Sequence, residues 1–171
     1  MLSTTDKFKL MATGKSKLSN DGLSTSRIDG MLRNNAATKK YYVGTFPSCL
    51  NVKTNKRDYC FITNTDNHEE PGEHWNCWFV RGKNILFFDS FGRELSDFPE
   101  HYLDIIKEYD NIEYTTTRVQ GWLATTCGYY CLHFAYIISL GLNFQSFLND
   151  YNYHNHELND KNVVDIVNSI F

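Results

Sequence analysis

The sequence contains no apolar run long enough to cross a lipid bilayer. A membrane-spanning helix needs roughly 20 consecutive apolar residues, and no stretch of the 171 residues approaches that length. The first ten residues also lack the apolar segment of a secretory signal peptide. We therefore expect a soluble protein that is not secreted and has no membrane partner.

Cysteine pairs at metal-ligand or redox spacing are absent as well. The chain has five cysteines, an odd number, and no CxxC pair, which argues against a structural zinc site, a dithiol redox motif and a disulfide scaffold. His154 and His156 resemble half of a metal site, but no carboxylate or thiol completes it at ligand spacing. We expect no bound metal, and a reducing compartment in which free thiols persist.

Charge is small overall and unevenly distributed. A formal net charge of -3 and an isoelectric point near 6.0 do not suggest a dedicated nucleic-acid binder. Residues 1–40 nevertheless carry eight Lys/Arg against three Asp, which leaves -8 on the remainder. The favoured interpretation is a solubilising, partly disordered tail, and the alternative is an arm that contacts DNA weakly.

Length and composition predict one compact domain, because 171 residues with 42% hydrophobic content can bury one sizeable core. We assign residues 1–22 to a basic N-terminal arm and residues 23–171 to the domain. Hydrophobic patterns predict an α+β fold with helices packed around a mixed sheet. The expected order is a helix at 23–34, strands at 41–46 and 59–63, a hairpin at 74–80 and 85–89, a helix at 97–110, a strand at 112–119, and helices at 127–140, 144–151 and 159–171.

Cys127 begins the long apolar segment that ends at Gly141, and so lies at the predicted N-terminus of a buried central helix. Unpaired backbone N–H groups and the helix dipole favour a thiolate at that position, and a neighbouring histidine lowers a thiol pKa further. The alternative is a small buried apolar side chain, the common role of a free cysteine. Cys131, one turn later, fits that alternative better.

Three other residues supply the remaining parts of thiol chemistry. His74 and Asp89 bracket the predicted hairpin, which can place a carboxylate beside an imidazole. Gln120 lies seven positions before Cys127, where its amide can donate to an oxyanion together with the backbone N–H of Cys127. Alone, His74 is also compatible with a surface histidine and Asp89 with a turn residue. Together they predict a cysteine protease that works through an acyl-enzyme.

The order His74-Trp75, Asp89-Ser90-Phe91-Gly92, Gln120-Gly121 and Cys127-Gly128 resembles the adenain-like branch of the cysteine proteases, a group that includes the SUMO-specific proteases. Segments 42–46 and 60–65 resemble the lead-in strands of adenovirus proteases, so the resemblance covers roughly residues 41–140. It implies an adenain-like fold with the nucleophile at the start of the central helix. It also implies that His74 is the base, Asp89 the residue orienting it, Gln120 the oxyanion donor and Cys127 the nucleophile.

Some details of these segments resemble adenain, and others resemble the SUMO-specific proteases. The spacing from Gln120 to Cys127 and the Gln-Gly pair resemble adenain, whereas SUMO-specific enzymes usually carry Asp where this chain has Thr126. Asp89 favours the SUMO-specific side, because adenovirus enzymes mostly use Glu there. The hairpin and its lead-in favour the viral side.

The resemblance implies a viral or virus-like endopeptidase that processes capsid or virion precursors at Gly-Gly or Gly-X sites. We expect a monomer in the virion or the host-cell interior that needs no cofactor for its chemistry. Adenovirus proteases are stimulated by DNA and by a peptide disulfide-bonded shortly before the oxyanion glutamine. Residues 104–119 here contain no cysteine, which argues against activation through a disulfide-bonded peptide. Whether DNA or a peptide activates the enzyme in another way stays open. The alternatives are an isopeptidase for ubiquitin-like modifiers and a non-catalytic nucleic-acid-binding or capsid-binding module.

Overall fold

The computed structural model describes residues 22–48, 52–65 and 74–171. The predicted arm, residues 1–22, lies outside these ranges except for its last residue. In chain order the described elements are α1 (Thr25–Asn34), β1 (Tyr42–Phe46), β2 (Asp58–Asn64), β3 (Trp75–Arg81), β4 (Asn84–Phe88), a short 3-10 helix (Leu95–Asp97), α2 (Glu100–Ile106), β5 (Asn111–Tyr114), α3 (Cys127–Ser139), α4 (Phe144–Leu148) and α5 (His156–Ile170).

The five strands form one mixed sheet in the order β1-β2-β3-β4-β5. The central strands β2, β3 and β4 pair antiparallel, while β1 and β5 run parallel to their neighbours at the two edges. The mixed sheet with packed helices is the predicted α+β architecture. No helix in the described ranges is both long enough and apolar enough to cross a membrane.

Both faces of the sheet are covered, and the middle of the central strand β3, residues 77–80, is accordingly apolar. In β3, Cys77 and Phe79 belong to the core on the α3 face, whereas Trp78 and Val80 belong to the core that contains Tyr102 of α2. A strand buried on both sides has no polar face, so its sequence is a continuous apolar run. Helix α3 lies between this sheet and α5, with α1 also against it, and is therefore apolar around most of its circumference.

Helix α2 is shorter than the predicted helix at 97–110 at both ends, and its later start follows from Pro99. A residue before proline avoids the helical region, and Phe98 is extended with φ -94° and ψ 157°. The helix starts at Glu100 and ends at Ile106. Tyr102 of this helix is fully buried.

Strand β5 ends at Tyr114, five residues earlier than expected. Beyond it the chain leaves the sheet edge and crosses the turn that follows β4, where the backbone N–H groups of Val119 and Gln120 donate to the carbonyl oxygen of Ser90 at 2.9 and 3.1 Å. The threonine-rich composition predicted a longer strand. The backbone N–H group of Val119, its last expected residue, donates to Ser90 instead of to a neighbouring strand. Gln120 is thereby held beside the end of β4.

Gly92 allows this crossing, because its backbone is left-handed with φ +62°. A Cβ atom placed there would lie 2.4 Å from the Thr117 carbonyl carbon and 2.7 Å from the Arg118 nitrogen. Only glycine both adopts this conformation freely and leaves room for the crossing chain.

We expect Gly92→Ala to destabilise the fold by about 2 kcal/mol or more, because left-handed strain and overpacking against backbone add together. Gly30→Ala is the matched control, since Gly30 lies inside α1 with no atom within 4 Å of an added Cβ. That variant should gain up to about 1 kcal/mol from helix propensity. Urea unfolding of the two variants measures both effects, and equal unfolding midpoints would contradict the packing described here.

Candidate active site

His74 and Asp89 lie side by side at one end of the central hairpin. His74 directly precedes β3 and Asp89 directly follows β4, and the antiparallel register that pairs Cys77 with Phe88 brings their side chains together. The His74 Nε2 atom lies 2.6 Å from the Asp89 Oδ1 atom. Both side chains are buried, so the expected juxtaposition of imidazole and carboxylate is present.

The Asp89 carboxylate is fully buried and surrounded by donors. Besides His74, the Asn76 amide donates to Oδ1, and the backbone N–H and Nε of Arg93 donate to Oδ2, each at 3.0 Å. Burial by itself raises a carboxyl pKa. The hydrogen bonds and positive charges of His74 and Arg93 outweigh burial and hold the pKa of Asp89 well below its usual range. Asp89 therefore remains an anion that fixes the imidazole.

Cys127 is the first residue of α3, and its thiol is near enough to His74 for each side chain to shift the pKa of the other. Because Nε2 faces Asp89, Nδ1 is the ring nitrogen left for the sulfur. Burial raises the pKa of Cys127, but the hydrogen bond and charge of His74 outweigh it and lower the pKa below the ordinary thiol value. Burial likewise lowers the pKa of His74, and its bonds to Asp89 and Cys127 outweigh burial and raise that pKa to about 8. Both shifts favour a thiolate–imidazolium pair.

Gln120 is buried, and its amide is held at both ends. The Ser90 hydroxyl donates to Oε1 at 2.6 Å, and Nε2 donates to the Ala124 carbonyl oxygen at 2.6 Å. An amide nitrogen has two hydrogens, so a second N–H remains beyond the one given to Ala124. Because the Ala124 carbonyl oxygen can only accept, it sets which end of the amide is the donor, and the Ser90 hydroxyl then donates to the other end.

Asp160 of α5 is a further residue of the site that the sequence analysis did not identify. Its Oδ2 accepts from the backbone N–H of Gly121 at 3.0 Å. Its Oδ1 accepts from the Thr126 hydroxyl at 2.7 Å and the Tyr130 hydroxyl at 3.0 Å. One carboxylate thus holds both ends of the 121–126 loop, which links Gln120 to Cys127.

A sequence signal for Asp160 exists in the helix periodicity. Asp160 is buried together with Val163, Val164 and Val167, the spacing of one helix face. A carboxylate on an apolar face needs partners once it is buried, so the pattern indicates a hydrogen-bonding role. The partners at the two loop ends, Gly121 and Thr126, lie 34 or more positions before Asp160 in the sequence. No local sequence pattern around Asp160 therefore identifies them.

The other cysteines of the described ranges do not have this environment. Cys131 is fully buried, its thiol donates to the Trp75 carbonyl oxygen at 3.3 Å, and burial raises its pKa. The sulfurs of Cys60 and Cys77 are 3.7 Å apart, both inside the core. In the part of the chain that the structure describes, no three His, Cys, Asp or Glu side chains are grouped to hold a metal ion.

Two solved crystal structures resemble this chain. A structure of the ASFV pS273R protease superposes with a TM-score of 0.61 at 16% sequence identity, covering 90% of this chain and 68% of that chain. A Se-Met structure of the same protease gives a TM-score of 0.57 at 16% identity, covering 90% and 69%. Neither a protein-family model nor a curated protein matches the sequence.

This likeness establishes the fold. The five-stranded mixed sheet packed by helices is a fold shared with the ASFV pS273R protease, which confirms the predicted α+β fold class. At 16% identity the likeness concerns the fold and does not single out the adenain-like branch.

We expect the alkylation rate of Cys127 by iodoacetamide to follow a lowered thiol pKa. Alkylation requires the thiolate, so the rate should rise with pH to a midpoint below the value of about 8.5 for a free cysteine. Removing the imidazole with His74→Ala should move this midpoint upward and slow the reaction at pH 6.5 by about tenfold per pKa unit. Mass spectrometry of the peptide that contains Cys127 gives the rate at each pH.

His154→Ala, a change at an exposed histidine, serves as the control and should leave the profile of Cys127 unchanged. Identical profiles for His74→Ala and the unmodified protein would contradict the proposed pairing of thiol and imidazole.

Proposed function

We propose that the protein is a cysteine endopeptidase in which Cys127 is the nucleophile, His74 the general acid and base, Asp89 the residue that orients His74, and Gln120 an oxyanion donor. The observation that carries this proposal is that His74 lies 2.6 Å from the buried Asp89 carboxylate and interacts electrostatically with the Cys127 thiol at the start of α3. Its support from comparison is that the similar solved structures belong to a protease.

The first half of the reaction forms an acyl-enzyme. The Cys127 thiolate attacks the carbonyl carbon of the scissile peptide bond, and the carbonyl oxygen gains negative charge. The second Nε2 hydrogen of Gln120 and the backbone N–H of Cys127 stabilise this charge. The imidazolium of His74 then protonates the leaving amine, the C–N bond breaks, and a thioester to Cys127 remains.

The second half of the reaction releases the acyl product. Neutral His74 removes a proton from a water molecule, whose oxygen attacks the thioester carbonyl. Collapse of the intermediate breaks the C–S bond and restores the thiolate and the imidazolium. Asp89 stays ionised throughout and stabilises the positive ring.

The proposed substrates are capsid or other virion precursor proteins, cleaved at Gly-Gly or Gly-X sites in a virus or virus-like element. This rests on the adenain-like order of residues at the site and on the ASFV protease among the similar structures. Under this proposal the enzyme acts as a monomer inside the virion or the host cell. The basic residues 1–22 would provide any weak contact with DNA.

A second candidate is an isopeptidase that removes a ubiquitin-like modifier. Asp89, in place of the glutamate typical of adenovirus enzymes, favours this candidate. Incubation with SUMO or ubiquitin conjugates and with Gly-Gly precursor peptides separates the two: conjugate turnover without peptide cleavage would favour the isopeptidase.

We expect Cys127→Ala to reduce cleavage of a Gly-Gly-containing peptide by at least about a thousandfold, because no other group on the site can form the acyl-enzyme. The melting temperature should change little. Cys131→Ala, one turn along the same helix, is the matched control and should keep its activity, although it opens a small cavity. Cleavage is measured by chromatography of the products, and unchanged cleavage by Cys127→Ala would remove the proposal.

We expect Asp160→Asn to lower kcat by up to about a hundredfold with a smaller change in KM, because loosening the 121–126 loop misplaces the oxyanion donor relative to the sulfur. An asparagine has the same size but loses one of the two acceptor oxygens. Asp165→Asn is the control on the same helix, where the carboxylate pairs with Lys161 instead. Steady-state kinetics well below the melting temperature should show the difference; equal kcat values for the two variants would show that Asp160 is only structural.

A further inference from the structure

Two large apolar side chains project into solvent beside the proposed active site. Trp122 is 70% exposed and Leu123 is 98% exposed, the highest values among the large apolar residues of the described ranges. Both lie on the loop between Gln120 and Cys127. Adjacent exposed apolar side chains at a reaction site commonly mark a binding surface.

The loop that displays them is firmly held. Asp160 accepts hydrogen bonds from Gly121 at one end and Thr126 at the other, and Gln120 donates to Ala124 between them. The exposure of Trp122 and Leu123 is therefore a property of a well-anchored backbone. A surface fixed in this way can bind a partner with little loss of conformational freedom.

A stack of rings connects Trp122 to the catalytic imidazole. The Phe91 ring stacks on His74 with centroids 4.7 Å apart and an interplanar angle of 27°. The Trp122 ring stacks on Phe91 with centroids 5.5 Å apart and an angle of 17°. The Arg118 guanidinium lies 4.3 Å from the Trp122 ring centroid and further fixes the indole.

The position of this stack identifies the part of the substrate that meets it. The imidazolium of His74 must face the leaving amine to protonate it, so the chain that follows the scissile bond passes His74. The two centroid separations, 4.7 and 5.5 Å, place the Trp122 ring no more than about 10 Å from the imidazole. An extended peptide advances about 3.3 Å per residue, so the second or third residue after the scissile bond reaches Trp122.

We propose that Trp122 and Leu123 form a leaving-group-side subsite that selects substrates with a large apolar or aromatic side chain at the second or third position after the cleaved bond. The inference rests on the proposed protease function and adds a substrate preference to it. Specificity then has a component on the leaving side of the bond, in addition to the glycine positions before it.

The test uses the full-length protein and two peptides that are identical up to a Gly-Gly site. One peptide carries Phe at the second and third positions after that site, and the other carries Ala there. We expect kcat/KM for the Phe peptide to exceed that for the Ala peptide by about fivefold, the size of one to two aromatic contacts. Trp122→Ala should lower the value for the Phe peptide and remove the difference between the two peptides.

Leu140→Ala is the matched control, since Leu140 is an apolar residue 52% exposed at the C-terminal end of α3; it should retain the fivefold preference. Equal cleavage of both peptides by the unmodified protein would overturn the subsite while leaving the protease proposal in place. Faster cleavage of both peptides by Trp122→Ala would also overturn the proposed subsite, because the Trp122 side chain would then hinder the substrate instead of binding it. No cleavage of either peptide would remove the protease proposal and the subsite with it.

Discussion

The buried negative charge of Asp89 is the constraint on which the site depends. A fully buried carboxylate is costly unless donors and positive charges surround it, and Asp89 obtains these from His74, Asn76 and Arg93. Satisfying the charge therefore determines the imidazole orientation and leaves one ring nitrogen for the sulfur of Cys127. The hydrogen bond with His74 that helps to stabilise buried Asp89 is thus the same one that orients His74 for its proposed role.

The turn after β4 links this charge to the rest of the site. Asp89 binds the imidazole, Ser90 orients the Gln120 amide, Phe91 stacks on His74, and Gly92 makes room for the chain that carries Gln120. Four consecutive residues thus place parts that are far apart in sequence. Asp160 of α5 acts in a similar way, because this second buried carboxylate holds the two ends of the loop before Cys127.

The features that could be predicted from the sequence are those that local patterns of residues determine. The apolar run predicted α3 and the position of Cys127 at its start, and aromatic, β-rich segments on either side of a turn predicted the hairpin that joins His74 to Asp89. The early end of β5 and the role of Asp160 depend on contacts between segments distant along the chain, which no local pattern contains. The start of α2 was different, because Pro99 was visible in the sequence and its effect on the preceding residue follows from sterics.

The Asp160 carboxylate leaves the loop between Gln120 and Cys127 anchored at its ends and exposed at its centre. Buried hydrogen bonds at Gly121 and Thr126 fix the backbone, so Trp122 and Leu123 can stay in water without the loop collapsing onto the core. Exposed apolar area forgoes roughly 25 cal/mol per Å² of burial free energy. A fold that keeps such area beside the proposed nucleophile gives up stability at a position where a substrate bound at the proposed subsite would recover it.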